Sequence, residues 1–229
     1  MLRPRLLRQP MDDLKVVPRT VQSETVDKLR NAILLGQFKP GARLAEAMLC
    51  DLMSVSRTSI REALRRLEGE KLVIIVPNKG PSVVKIEWED AKAIYEVRAL
   101  LEGEAAARFA ARVKSADIQA MQRALRSFGT AVSDDDAAGR VTTTNEFYQI
   151  ILRGCGNPVI GEVLQSLNAR INFLRFQSMA RPGRSKHSAV ELKKILSALE
   201  DRNAAAARKA AIEHVNAACA AVETFYNGD

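Results

Sequence analysis

Cysteine, histidine and aromatic side chains are all scarce in this 229-residue chain, and each shortage excludes something. Cys50, Cys155 and Cys219 are odd in number and widely scattered, which rules out a disulfide framework and a thiolate zinc cluster and fits a reducing cytoplasm. Aromatics make up 5% of the chain, so its cores must be built from aliphatic side chains and alanine, a composition that favours closely packed helices. No stretch reaches the ~18 consecutive apolar residues that a membrane span needs. The opening MLRPRLLRQP is basic but lacks the apolar run of a secretion signal. There is no internal repeat and no low-complexity tract.

What is abundant is positive charge, unevenly spread. The net charge is +8, yet residues 1–85 hold 16 Lys and Arg against 9 Asp and Glu, while residues 86–229 hold 19 against 18. A basic N-terminal third calls for a polyanion, nucleic acid or an acidic membrane surface. Hydrophobic residues are 47% of the chain, enough to bury the cores of two domains or one large one.

Residues 1–18 carry three prolines and no periodicity, and read as a disordered basic arm, with DNA phosphates as a possible contact. A helix is expected from about Thr20 to Leu35, with Val26, Leu29 and Ile33 inward, Thr20 or Ser23 as cap and Gly36 as its end. A second runs from about Ala45 to Met53, burying Met48, Leu49 and Leu52 or Met53. After a turn at 54–56 comes VSRTSIREALRRL (55–67). Ile60, Ala63, Leu64 and Leu67 form its apolar stripe, and Arg57, Arg61 and Arg65 recur every four residues on a neighbouring face. Glu62 lies off that arc. This is either an ordinary amphipathic surface helix or a recognition helix for the major groove.

The period then changes. LVIIV (72–76), the turn cluster PNKG (77–80) and SVVKI (82–86) predict a β-hairpin. A helix, a helix-turn-helix and a hairpin in that order make a winged helix-turn-helix over 19–86, with the arginine face and the Asn78-Lys79-Gly80 tip on one side. From 87 to 229 only helices are expected, near 89–112, 115–133, 136–153, 158–179, 186–201 and 204–226. They would form an all-α antiparallel bundle, with Ser115, Asn157 and Asn203 as caps and Ile94, Val97, Leu101 and Ala105 as one inward stripe.

The stretch LRNAILLGQFKPGARLAEAMLCDLMSVSRTSIREALRRLEGEKLV and the following PNKG closely resemble the GntR family of bacterial transcription regulators. IYEVRALLEGEAA and GCGNPVI resemble the FCD ligand-binding domain of its FadR subfamily. The resemblance covers about residues 20–226. It implies a homodimer that binds a short palindromic operator on double-stranded DNA and changes affinity when a small metabolite enters the bundle, more often as a repressor. By the same resemblance the DNA-reading arginines fall on Arg57 and Arg61 and hydroxyl contacts on Ser56 and Thr58; Arg43, Ser59, Arg65, Asn78, Lys79 and Gly80 complete the expected DNA-binding set. Gly80, or Asn78 in a shifted tip, takes the place of the wing glycine. Ala47 stands where the second helix often offers a contact and offers none. Cys50, Met53 and Ser54 replace the usual Ala, Leu and Gly of the turn, Cys50 as a small core residue.

Many FCD domains hold a divalent metal through an Asp, a His one turn later and two more His. Here the resemblance puts those positions at Thr144, Tyr148, Leu192 and His214, of which only the last is a ligand type, so the family's metal site reads as lost and no cofactor is expected. A shifted alignment in which His187 and His214 share an ion is the remaining metal-dependent alternative. The effector pocket is expected at Arg98, Thr144, Tyr148, Leu192 and His214, with Arg98 supplying the positive charge for an anionic organic acid. Arg98 has a second reading, a buried salt bridge to Glu102, and His214 another, a neutral core histidine. Arg153, Asn168, Asn172 and Arg175 lie where periodicity does not assign a face.

Tyr148 and His214 could exchange a proton, but no nucleophile, base and orienting group accompany them, so an enzyme is not expected. The reading is therefore a ligand-responsive, cytoplasmic DNA-binding regulator. A constitutive DNA-binding dimer without an effector is the alternative.

Overall fold

The computed structural model of the protein describes residues 21–226; the basic arm expected at 1–18 and the cap at Thr20 lie outside them. The N-terminal head contains α1 (Val21–Leu34), α2 (Glu46–Met53), α3 (Arg57–Gly69) and a hairpin of β1 (Val73–Val76) and β2 (Gly80–Val83). The helical half contains α4 (Trp88–Ala110), α5 (Ser115–Ser133), α6 (Ala137–Gly154), α7 (Pro158–Met179), α8 (Arg184–Glu200) and α9 (Ala204–Tyr226). The fold is thus mainly α, a winged helix-turn-helix followed by an all-α bundle.

The head forms around the apolar stripes. Val26, Leu29 and Ile33 of α1 close on Ile60, Ala63, Leu64 and Leu67 of α3, all buried. Gly36 ends α1 with φ +70, a left-handed residue that lets Gln37 N donate to Ala32 O and Gly36 N to Ile33 O, both at 3.0 Å. Helix α2 differs from its expected pattern: Leu49 is buried, whereas Met48 and Leu52 are exposed and Met53 and Cys50 half-buried. One turn either side of Leu49 suffices for so short a helix to dock. Ser54, at the usual glycine position, adopts the left-handed conformation (φ 53) and turns the chain into α3.

The hairpin is antiparallel, with Val73 opposite Val83 and Val76 opposite Gly80. Its second strand starts earlier than expected, at Gly80, and stops at Val83 rather than reaching Ile86. Its start is set by the pairing of Gly80 with Val76, and a third segment then joins it on the other side. Residues 41–44 run alongside β2, with Leu44 N donating to Pro81 O at 2.8 Å and Val83 N to Ala42 O at 2.9 Å. Pro81 has no N–H to lose, and its carbonyl supplies that bond.

In the bundle, α4 has its most extensive contact with α9, and Gly103 allows the approach: a Cβ there would stand 2.7 Å from Ile212. The inward face of α4 is Ala91, Ile94, Tyr95, Arg98, Glu102, Ala105, Ala106 and Phe109, all buried. Val97 of the expected stripe is 37% exposed and Leu101 half-buried, because the buried face includes two charged residues. Helix α8 begins at Arg184, two residues before expectation, after Gly183 at φ +77. Asn157 and Asn203 cap as expected, whereas Ser115 lies inside α5 and the Lys114 N–H is taken by Asp117 at 3.0 Å.

Among the described residues the two halves meet through side chains from both. Tyr226 donates its hydroxyl to Ile86 O at 2.6 Å and its ring lies 5.6 Å from that of Trp88, tying the end of α9 to the connector. The Phe176 ring of α7 approaches the end of α1, 3.4 Å from where a Cβ on Gly36 would be. A polar groove of about 380 Å³ also lies between the halves, with Asp27, Arg30 and Glu70 on the head side and Gln165, Asn168 and Asn172 of α7 on the other. Among the described residues no helix is long and apolar enough to cross a membrane.

Gly154 ends α6 directly against the Phe109 ring of α4, where a Cβ would stand 2.1 Å from a ring carbon. Because Phe109 is 1% exposed and cannot swing away, Gly154→Ala is expected to cost about 1–3 kcal/mol, read as a lower thermal midpoint by calorimetry. An unchanged midpoint would show that α4 and α6 separate freely.

Candidate DNA interface and effector site

Helix α3 starts on a side-chain cap. Ser56 Oγ accepts from Ser59 N at 3.1 Å and lies 3.0 Å from Ser59 Oγ. The cap fixes where the helix begins and so which side chains project from its first two turns. Arg57, Thr58, Arg61 and Arg65 are exposed, as are Arg43, Asn78 and Lys79, with Ser59 and Gly80 half-buried. Asn78 and Gly80 are both left-handed, with φ 64 and 81, and shape the hairpin tip. Arg43 is brought to that tip by its bridge to Ser82, and its Nη2 lies 4.0 Å from where a Cβ on Gly80 would be. The basic residues singled out from the sequence thus lie exposed on one helix and its adjoining wing.

One partner was not anticipated. Arg61 Nε donates to both carboxylate oxygens of Glu46, at 3.0 and 2.9 Å. Ala47 is exposed and empty-handed, but the residue before it reaches back to α3 and holds the guanidinium. The contact is exposed, so it adds little stability; its effect is to orient Arg61 while both Nη groups stay available. Glu62 is taken up by Gln22.

The second site lies inside the bundle. Arg98 (0% exposed) donates through Nε to Glu102 Oε1 at 2.8 Å, one turn along α4, and Arg175 of α7 approaches the same oxygen at 3.8 Å. Arg98 lies 5.1 Å over the Tyr95 ring and Arg175 5.3 Å over that of Tyr148. Tyr148 stacks on His214 with centroids 6.0 Å apart. His214 Nδ1 is 2.7 Å from Glu191 Oε2, which also accepts from Arg184 Nη2 at 2.9 Å.

Burial opposes charge throughout this cluster, and the partners decide what survives. Glu102 is disfavoured by burial, but the charges of Arg98 and Arg175 outweigh that and hold it below the ordinary carboxylate range. Burial and the neighbouring Arg98 charge pull Arg175 down to about 10, which leaves it protonated at neutral pH. Burial pushes Tyr95 up to about 12 and Tyr148 well above its usual value, the latter with help from the Glu102 charge. For His214 burial wins over the Glu191 bond and lowers the pKa, so the ring is neutral; facing an ionised Glu191, its Nδ1 must carry the proton.

Of the expected pocket residues, Arg98, Tyr148 and His214 therefore meet in one cluster. Leu192 is buried beside it at 1% exposure, and Thr144 is buried with its hydroxyl donating to Arg140 O at 2.8 Å. Both readings of Arg98 and of His214 hold together: a salt bridge and a neutral core histidine, inside the same polar site. Arg175 and Asn172 are buried and face inward, while Arg153 is exposed. Arg184, Glu191 and Tyr95 were not anticipated. The seven-residue spacing of Arg184 and Glu191, two helical turns, was the available signal.

Several donors in this cluster have no partner: Arg98 Nη1 and Nη2, Arg175 Nε, Arg184 Nε and Nη1, and the Tyr95 hydroxyl, while the Tyr148 hydroxyl bears on the Glu102 carboxylate. Buried polar atoms are rarely left so. The residues at the family's metal positions do not fit an ion. Thr144 donates its proton to a carbonyl, Tyr148 is a buried phenol held protonated and Leu192 has no donor atom, which leaves His214, with Nδ1 on Glu191 and Nε2 as its one lone pair, as the single ligand type of the four. His187 is exposed, unlike His214, and no group of three or more His, Cys, Asp or Glu among the described residues is placed to hold a metal.

Comparison with known proteins agrees with this architecture. The profile of the bacterial regulatory proteins of the gntR family matches residues 21–83, and that of the FCD domain matches residues 93–217. The HTH-type transcriptional regulator YdhC of Bacillus subtilis (strain 168) is 26% identical over 211 residues, covering 91% of this chain and 94% of its own. Among solved structures, Escherichia coli McbR/YncC superposes with a TM-score of 0.78 at 21% identity, covering 91% of this chain and all of that one. A GntR-type regulator from Rhodococcus sp. RHA1 gives 0.69 at 23% identity, over 90% of this chain and 97% of its own. The names of these relatives are those of transcriptional regulators.

The burial of His214 has a consequence for stability against pH. Its folded pKa lies below the ordinary 6.5, so its contribution is full above 6.5 and is lost as pH falls through the folded value. Glu102 and Glu191, lowered from 4.5, follow at more acid pH. The charges facing His214 are Glu191 and Arg184 on α8 and Arg98 and Glu102 on α4. A thermal midpoint followed from about pH 8 to about pH 4 is expected to fall in two stages, and His214→Asn to flatten the first. A midpoint that rises on acidification through 6.5 would mean that the imidazole is charged in the folded protein.

Proposed function

The chain belongs to the gntR family of bacterial regulatory proteins and carries an FCD domain, and on that premise we propose that it is a dimeric, cytoplasmic repressor of the FadR type. It reads a short palindromic operator with α3 and its wing, and a small organic anion in the bundle alters that binding. The observation that supports the effector half is the surplus of unpaired, buried donors around Arg98, Arg175 and Arg184. A bundle that had lost its effector would keep that cost with nothing to offset it, which favours this reading over a constitutive DNA-binding dimer.

On the DNA side Arg57, Arg61 and Arg65 of α3 face the major groove. Ser56, Thr58 and Ser59 at the helix start serve phosphates through hydroxyls and backbone N–H groups, and Arg43 with Asn78, Lys79 and Gly80 follows the adjoining groove. Two copies of the head give two half-sites, so operator symmetry follows from protein symmetry. Ligand acts by favouring one separation of the heads over another, which requires it to bind the two arrangements with different affinity.

A duplex selected from a random library by the full-length protein provides the test. Binding should weaken steeply with salt, since several phosphates are neutralised, and a flat salt response would rule out this interface. Arg61→Ala is expected to cost about 1–3 kcal/mol on the selected duplex and much less on random DNA. Equal losses on both would reassign Arg61 to the backbone.

A further inference from the structure

The polar groove between head and bundle has one wall whose charges are spent and another whose amides are not. On the head side Arg30 donates through Nε and Nη2 to the two oxygens of Glu70, each at 2.7 Å, and through Nη1 to Asp27 Oδ1 at 2.5 Å. Arg66 of α3 also lines the groove, exposed, and brings the four charges of that wall to zero. On the α7 side Asn172 is 7% exposed and still lines the groove. Its Oδ1 accepts from Arg175 Nη1 at 3.3 Å, which leaves the two Nδ2 hydrogens for the groove, and that nitrogen is not one of the polar atoms sealed from water. Asn168 and Gln165, one and two turns earlier, line it with amides that have no partner among the described residues. No hydrogen bond or ion pair among the described residues crosses from one wall to the other.

These features select an occupant. Glu70 has both oxygens on Arg30, so an ammonium group would find only the outer oxygen of Asp27. An added anion would gain Arg66 and face the carboxylates of Asp27 and Glu70. What the α7 wall offers is a row of side-chain amides, each a donor and an acceptor side by side, which suits neighbouring hydroxyl groups. The volume of about 380 Å³ lies at the small end of the ~300–1,000 Å³ usual for ligand sites and limits the occupant to one ring or a short chain.

We propose that this groove binds an uncharged polyhydroxy compound, a monosaccharide or a polyol, and that it is a control point separate from the interior of the bundle. A molecule lodged there touches both halves of the chain. Any change in how the head sits on α7 makes or breaks its contacts with one wall, so position alone gives it different affinity for the two arrangements. That difference is what control of DNA binding requires. The site itself needs no effector in the bundle, and only its control role rests on the proposed binding of DNA.

The test is calorimetric titration of the full-length protein with pentoses, hexoses and hexitols, each sugar beside its aldonic acid and its amino sugar. Titration is used because sugars at high concentration stabilise proteins without binding them. At least one neutral compound should bind about tenfold or more tightly than its charged counterparts. Asn168→Ala together with Gln165→Ala, both at positions with no bond to lose, should weaken that compound about tenfold or more and leave the thermal midpoint of the free protein unchanged. The bound compound should change affinity for the selected duplex about fivefold or more, and the duplex should change affinity for the compound by the same factor. Preference for an aldonic acid or an amino sugar, or affinity that survives loss of both amides, overturns the assignment. Binding that leaves duplex affinity unchanged overturns the control role. No binding of any neutral compound removes the proposal and leaves the DNA-binding reading standing, whereas a protein that binds sugar but no duplex removes that reading and keeps the site.

Discussion

A carboxylate out of reach of water, gripped by two guanidiniums from different helices, sets the terms for the whole helical half. Glu102 is 2% exposed, bonded to Arg98 on its own helix and approached by Arg175 from α7. Bringing such charges out of water costs several kcal/mol per ion, and the attraction between them recovers that only when geometry is good and other polar atoms are met. Here they are only partly met. The cluster fixes α4 and α7 against each other and leaves open valences between them. A core that needed stability alone would be served as well by leucines of similar volume.

The head follows a different logic, in which the polar residues face out and the apolar ones decide the shape. Its stripes on α1 and α3 are clean, so periodicity placed them, and the change from a period near four to a period of two marked the hairpin. The sequence was less informative where backbone partners from elsewhere intervene. Residues 41–44 pair with β2 at Pro81 to Val83, and nothing local announces that. The Glu46 grip on Arg61 spans fifteen residues and joins two helices whose relative placement depends on the Ser54 turn. Position 54 shows how a fold tolerates a departure: serine accepts the left-handed conformation at a modest cost where glycine would accept it freely.

In the bundle, existence and order of helices were legible, and the interior of the polar site largely was not. A search for apolar stripes reads α4 wrongly because its most buried positions include Arg98 and Glu102, so Val97 is credited with a place it does not take. Arg98 and His214 were nonetheless found, since the resemblance to a regulator family aligned them. Arg184 and Glu191 had no such help. Gly183 starts α8 two residues early, which turns Arg184 inward towards His214 and its carbonyl, where it meets the half-buried Glu191. Ionic interiors leave little trace in a single sequence, because each member alone looks like a surface residue.

Arg175 and Phe176 are neighbours on α7, and successive residues on a helix project about 100° apart. One reaches Glu102 and Tyr148 inside the bundle, and the other presses its ring on the bare backbone of Gly36 at the end of α1. A rigid rod with a hand in each room cannot move one without the other. Any axial slip or roll of α7 that re-seats the guanidinium shifts the aromatic bearing at the end of α1, so the shortest mechanical link between the bundle interior and the base of the head is a single peptide bond.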